Sequence, residues 1–136
     1  MDKSKKKEDS DNSSDLNHAL YEKGCAFYKD SDYRNAISAF KESLEYWPED
    51  GEAWLALGNC YDASKKPKRA EKCFRQALVF ETEKIRDTAL FNLGNSLYDQ
   101  CLFEDAIKCY DKVSKGGDIH ATAMTNKNRA KQKIGT

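Results

Sequence analysis

Residues 53–78 read AWLALGNCYDASKKPKRAEKCFRQAL, and their pattern decides the fold. Trp54, Gly58 and Tyr61 follow one another at spacings of four and three, which places them on one face of a helix. A polar turn comes next, and Pro67 stands where a second helix would begin, a position that suits its fixed φ and missing N–H. A second apolar stripe follows the proline. The stretch therefore predicts two helices joined by a tight turn.

The same surroundings recur around three glycines. Gly58 lies 34 residues after Gly24, and Gly94 lies 36 residues after Gly58. Each glycine is followed at the same distances by an alanine and an aromatic residue, namely Ala36 and Phe40, Ala70 and Phe74, and Ala106 and Tyr110. One helix pair cannot bury its apolar stripe alone, but stacked pairs share a continuous core. We therefore predict an all-α solenoid of helix-turn-helix units at residues 17–50, 51–84 and 87–120, with a capping helix at about 118–133.

These residues resemble the tetratricopeptide repeat family, whose pattern is a large apolar residue, Leu-Gly, Tyr, Ala, an aromatic residue, Ala and Pro. The second unit matches best, at Trp54, Leu57, Gly58, Tyr61, Ala70, Phe74 and Ala77. The first unit departs from the pattern at Lys23 and Ser43, and the third at Leu97, Val113 and Asp118. The resemblance spans residues 17–120. It implies a solenoid whose first helices line a concave groove that binds a segment of a partner protein.

The composition is polar, with 34% charged residues, a mean hydropathy of -0.88 and a formal net charge of zero. Residues 1–15 contain Met1 as their only apolar residue, so we predict a disordered charged tail there and a repeat domain over 16–136. No apolar run approaches the roughly 20 residues that span a bilayer, so no membrane contact is expected. We expect a cytoplasmic location, and the lysine run Lys3–Lys7 leaves a nuclear one open.

No catalytic, cofactor-binding or metal-binding residues are predicted, so we do not expect an enzyme. The only histidines, His18 and His120, lie at opposite ends of the repeat region, and no Gly-rich phosphate loop exists. The five cysteines are odd in number, and no two are separated by only two residues. That spacing argues against a zinc site and against a disulfide framework. Cys101 falls in a turn and is the best candidate for an exposed thiol.

The resemblance nominates groove residues on the first helices. They are Tyr21, Glu22, Tyr28, Leu55, Asn59, Asp62, Phe91, Asn92, Asn95, Tyr98 and Asp99. The three asparagines carry amides that both donate and accept hydrogen bonds, as a peptide backbone requires. The aromatic members are typical anchors of a binding site. The carboxylates, with Glu52, make the projected groove acidic, so we expect a basic or neutral peptide.

Some members of the family hold the acidic carboxyl-terminal tails of chaperones in a clamp of Lys, Asn and Arg. The equivalent positions here are Tyr21, Cys25, Ala56, Thr88 and Asn92. None of these residues is basic. We therefore expect that the chain is not a chaperone acidic-tail clamp.

The function that these observations favour is a non-catalytic adaptor that binds a peptide segment of a partner in the groove. One alternative is a self-associating structural scaffold, because the ends of a repeat array expose apolar helix faces. The chain would then be a homo-oligomer. Another is a nucleic-acid-binding helical repeat with a basic surface at Lys65, Lys66, Lys68, Arg69 and Lys72. The zero net charge disfavours nucleic acid as a partner.

Overall fold

The computed structural model describes residues 10–135, and within that range every regular element is an α-helix. The helices are α1 (Ser10–Lys29), α2 (Tyr33–Tyr46), α3 (Gly51–Ala63), α4 (Pro67–Val79), α5 (Glu83–Asp99), α6 (Phe103–Asp111) and α7 (His120–Gly135). Each helix packs against the next one along the chain. This arrangement confirms the predicted all-α solenoid of three helix pairs and a closing helix. None of the described helices combines the length and the apolar character that crossing a bilayer requires.

The two helices of each pair are joined by a turn with the same backbone conformation. Ser31, Lys65 and Cys101 have φ values of 59°, 63° and 64° and lie at equivalent places in the three turns. They are the non-glycine residues in the left-handed region among the described residues. Asp32 then begins α2 by accepting a hydrogen bond from the Asn35 backbone N–H at 3.3 Å. The periodicity of the sequence is therefore reproduced in its turns as well as in its helices.

The three repeated glycines lie where an aromatic ring of the second helix crosses the first helix. A Cβ atom built at Gly24 would lie 2.6 Å from Phe40, one at Gly58 would lie 2.5 Å from Phe74, and one at Gly94 would lie 2.6 Å from Tyr110. The three rings are at most 1% exposed. Each pair of helices can approach this closely only because the glycine has no side chain.

The helix boundaries correct the prediction of a disordered tail over residues 1–15. Residues 10–15 belong to α1, and Ser13 in its first turn is only 3% exposed. Composition alone describes this segment as if it were isolated, whereas extending an existing helix adds a hydrogen bond per residue without a new nucleation cost. Residues 1–9 lie outside the described part of the chain.

The third pair also differs from its predicted bounds. Ile85 and Arg86, the two residues inserted between units, lie inside α5, which begins at Glu83 instead of residue 87. Ile85 is buried beside Gly51, so the insertion lengthens a helix that the core holds in place. The closing helix α7 begins and ends two residues later than predicted, at His120 and Gly135.

Helix α7 occupies the place of a fourth first helix. Ala123 lies 34 residues after Ala89, and both side chains are fully buried. Adding the same spacing to Gly94 leads to Asn128, which is exposed, so α7 does not carry the glycine that a crossing aromatic ring would need. Lys127 forms an ion pair with Asp111 at 2.5 Å. Most exposed residues of α7 are polar, with Ile134 as a 49% exposed exception, which is typical of a helix that closes an array.

The thiols differ sharply in burial. Cys101 is exposed, as the sequence predicts, and Cys60 and Cys73 are buried. Burial raises the pKa of the Cys60 thiol to about 12 and that of Cys73 to about 11. Since the thiolate is the nucleophile, we expect Cys101 to react with iodoacetamide at neutral pH first, and the buried pair more slowly by about two orders of magnitude.

Peptide mapping by mass spectrometry over a labelling time course measures these rates. Labelling in urea supplies the control, because unfolding should bring the five cysteines to similar rates. Equal labelling of Cys60 and Cys101 in the folded protein would contradict the packing described here.

Candidate functional site

The first helices of the units form the inner row of the solenoid. Helices α1, α3, α5 and α7 contact one another in sequence, whereas α2, α4 and α6 contact first helices but not each other. Helices that touch their counterparts lie on the inside of the curve. The concave face is therefore lined by α1, α3, α5 and α7, and it carries two clefts.

The first cleft lies between α1 and α3 and has a volume of about 270 Å³. It is lined by Tyr21, Cys25, Tyr28, Lys29, Phe40, Ala56 and Asn59. The ring of Tyr21 packs on Phe40 with centroids 5.6 Å apart. Burial, followed by the neighbouring Cys25, raises the pKa of the Tyr21 hydroxyl, which therefore stays protonated and can donate a hydrogen bond. Lys29 is the one charged side chain among the residues that line this cleft, and the carboxylate of Glu52 lies close enough to act on Tyr21 and Cys25.

The second cleft lies between α5 and α7 and has a volume of about 210 Å³. It is lined by Asn95, Tyr98, Asp99, Tyr110, Asn126 and Arg129. The Asn95 Oδ1 accepts hydrogen bonds from the Tyr110 hydroxyl at 2.6 Å and from Asn126 Nδ2 at 3.0 Å. Both acceptor positions of this oxygen are thus occupied, and the Asn95 amide group offers only its N–H donors to a ligand.

A pair of asparagines joins the two clefts. Asn92 Nδ2 on α5 donates to Asn59 Oδ1 on α3 at 2.9 Å. This bond fixes both side chains across the helix interface. It leaves the Asn59 N–H₂ as donor and the Asn92 Oδ1 as acceptor, and these two groups match the C=O and N–H of an extended peptide backbone. The inner face therefore carries a row of oriented amides between two clefts.

The charges of the face are more mixed than the sequence analysis expects. Burial, and after it the charge of Asp99, raises the pKa of the half-buried Asp62. Glu52 pairs with Lys84 at 3.0 Å, and the exposed Glu22 lines neither cleft. Lys29 and Arg129 place a cation at each cleft. Negative charge is nevertheless present at the first cleft, where burial and then the carboxylates of Glu22 and Glu52 raise the pKa of Cys25. A second region of negative charge lies between Asp62 and Asp99.

The structure brings together most, but not all, of the predicted groove residues. Seven lie in the clefts or in the central pair, namely Tyr21, Tyr28, Asn59, Asn92, Asn95, Tyr98 and Asp99. Asp62 lies near enough to Asp99 for that charge, after burial, to raise the pKa of Asp62. Leu55 and Phe91 pack against the core instead, with the Phe91 ring centroid 6.1 Å from that of Tyr110. Glu22 lines neither cleft, but after burial its charge helps to raise the pKa of Cys25 in the first cleft.

Three polar residues of the clefts are missing from the prediction: Lys29, Asn126 and Arg129. A signal for the last two exists in the sequence. They lie 34 residues after Asn92 and Asn95, which is the spacing between the first two glycines. Treating α7 as a first helix would have projected both side chains onto the inner face.

Residues 21–89 match the sequence model of the tetratricopeptide repeat family. No curated protein matches the sequence significantly. Among solved structures, the first TPR of Spaghetti (RPAP3) bound to the HSP90 peptide SRMEEVD superimposes with a TM-score of 0.81 at 19% identity, covering 90% of this chain and 96% of that one.

Two further structures of this fold also hold chaperone peptides. The TPR2B domain of yeast Sti1, in a complex with Hsp70, has a TM-score of 0.81 at 14% identity and covers 87% of this chain and 98% of that one. The second TPR domain of human RPAP3, in complex with the HSP70 peptide SGPTIEEVD, has a TM-score of 0.79 at 17% identity, with coverages of 88% and 98%. These likenesses show the fold of the chain.

The comparisons contradict the prediction that the chain is not a chaperone acidic-tail clamp. Solved domains with this fold bind acidic-tailed HSP90 and HSP70 peptides, so the expected exclusion of this class was wrong. Its physical weakness is that it inspected five positions and missed Lys29 and Arg129, which supply cations beside the clefts. The expected preference for a basic or neutral segment is corrected with it, because that prediction counted the carboxylates of the groove and left out both cations.

Proposed function

This chain belongs to the tetratricopeptide repeat family, and we propose that it is a non-catalytic protein-interaction module that binds an extended peptide segment of a partner along its concave face. The observation that carries the proposal is the row of amides between the two clefts. Asn59, Asn92 and Asn95 are held in place by hydrogen bonds of 2.6–3.0 Å and keep unused donors and acceptors. Amides fixed in advance lose little entropy when they bind a peptide backbone.

The occupant that we propose is a peptide with a carboxyl-terminal acidic end, the class that the solved domains above hold. Its carboxylate would enter the first cleft, where Lys29 is the single charged residue and Tyr21, Tyr28 and Asn59 supply neutral donors. Charge-assisted hydrogen bonds of this kind are stronger than neutral ones. The peptide backbone would then follow the amides toward the second cleft, whose Arg129 offers a further cation.

The test is fluorescence anisotropy with labelled SRMEEVD and SGPTIEEVD peptides. We expect saturable binding with an affinity on the order of micromolar, because an interface of this size is small. The double variant Asn59→Ala with Asn92→Ala should weaken binding by about tenfold, since it removes the central backbone partners. Both asparagines are changed together because a single substitution would leave the other amide without its hydrogen-bond partner. Lys29→Ala should weaken binding of the free carboxyl-terminal peptide more than binding of its amidated form.

The matched control is Lys41→Ala, which removes an exposed lysine from the outer helix α2. It should bind both peptides as the natural chain does. Circular dichroism of each variant verifies that the helices remain. Absence of saturable binding would refute the acidic-end occupant, and binding that ignores both the asparagine pair and Lys29 would refute the site.

A further inference from the structure

A second surface lies at the turn between α3 and α4, away from the concave face. Five cations fall within eight residues there: Lys65, Lys66, Lys68, Arg69 and Lys72. Within residues 10–135 none of them takes part in an ion pair, and Arg69 only stacks its guanidinium over the Tyr61 ring at 5.9 Å. The one carboxylate of the stretch, Glu71, is engaged by Arg75 and Gln100, both at 2.9 Å. Lys68 is near enough to Glu71, and Lys65 to Asp62, to favour the charged carboxylates, but the five cations of this turn outnumber these two partners.

Three of these cations, Lys66, Lys68 and Arg69, line an open cleft of about 690 Å³. The cleft is lined by Lys66, Pro67, Lys68, Arg69, Gln100 and Leu102, none of which lines the clefts of the concave face. Leu102 is 43% exposed although it is a large apolar side chain. Two contacts fix the cleft across the junction of the second and third pairs: the Ser96 hydroxyl donates to the Pro67 carbonyl at 2.6 Å, and Gln100 Nε2 donates to Glu71. The apolar floor and its cationic rim are thus parts of one rigid junction.

We propose that this cleft is a second docking site, for an acidic protein segment that carries an apolar side chain. The apolar side chain would cover Pro67 and Leu102, and flanking carboxylates would meet Lys66, Lys68 and Arg69. Burial of the exposed leucine and pairing of these surplus cations favour the same occupant. The site is independent of the peptide-binding function proposed for the concave face.

Charge and shape distinguish this occupant from other candidates. A nucleic acid would use the cations but leave the apolar floor uncovered, and no aromatic side chain lines the cleft to stack on a base. The net charge of zero also supplies no long-range attraction for a polyanion. Residues 1–9 are a poor occupant, because their four lysines outnumber their three carboxylates and their net charge has the same sign as the cleft.

The probe is a short labelled glutamate-rich peptide with one central leucine, titrated by anisotropy into the full chain at about 0.05 M salt. We expect saturable binding that the double variant Lys66→Glu with Lys68→Glu weakens by about tenfold, because two attractive contacts become repulsive. Replacing the peptide leucine with serine should weaken binding several-fold. The groove double variant, Asn59→Ala with Asn92→Ala, should bind this probe as tightly as the natural chain, which separates the two sites.

The matched control is Lys112→Glu with Lys115→Glu, which changes the net charge equally at exposed positions outside the cleft. It should alter the affinity by less than about twofold at this ionic strength. Equal weakening by both double variants would show general charge attraction and overturn the site. Tighter binding of a single-stranded oligonucleotide of equal charge, or indifference to the peptide leucine, would overturn the acidic protein segment as its occupant.

Discussion

Replacing Phe74 with alanine is expected to lower the free energy of unfolding by about 3–5 kcal/mol. The ring is fully buried in the central helix pair, against Gly58. Helix α4, which carries it, packs on α3 and on α5, so the cavity would lie at the centre of the array. Because small domains are stable by only about 5–15 kcal/mol, this loss removes a large share of the total.

Urea unfolding followed by circular dichroism measures this loss. Val79→Ala on the same helix is the matched control, because Val79 is 67% exposed and its truncation should change stability by less than about 0.5 kcal/mol. Comparable effects of the two substitutions would contradict the position of Phe74 as the central core residue.

The second large effect is expected from Gly58→Leu, which should lower the free energy of unfolding by about 3 kcal/mol. A Cβ at this position would already lie 2.5 Å from the Phe74 Cε1 atom, and the buried ring has no free space to move into. Gly116→Leu is the control, since no atom lies within 4 Å of a Cβ built there and its φ is not positive. The same urea experiment should show the control near the stability of the natural chain.

Combining Gly58→Leu with Phe74→Ala tests the contact itself. The leucine would fill part of the cavity that the alanine leaves, so the double variant should be more stable than the sum of the single losses predicts, by about 0.5–3 kcal/mol. Strict additivity would mean that the glycine and the ring do not share one contact.

The fold could be predicted from the sequence because its determinants are local and repeated. A glycine followed sixteen residues later by an aromatic residue occurs three times and predicts the same helix crossing each time. In the structure each of the three glycines contacts its aromatic ring. The start of α1 could not be predicted in this way. Its first turn has hardly any apolar residues, and the burial of Ser13 depends on tertiary packing that composition does not reveal.

The concave face could be predicted only in part. The spacing identified Asn59, Asn92 and Asn95, because each lies at a first-helix position that turns inward. It misjudged the charge, because it left out the cations Lys29 and Arg129 and could not show that Glu52 pairs with Lys84. Such pairings join residues far apart in sequence and carry no periodic signal.

The second cleft is complete only while α7 is packed at the end of the array. This helix packs on α6 and α5 alone, whereas each inner helix pair has neighbours on both sides. Local opening of a single end helix costs less than global unfolding. Since Asn126 and Arg129 lie on α7, its transient detachment would abolish one end of the concave face while the other six helices stay folded. A ligand bound in the second cleft would in turn stabilise the packed position of α7. It would therefore protect backbone amides over residues 120–135 from exchange with solvent.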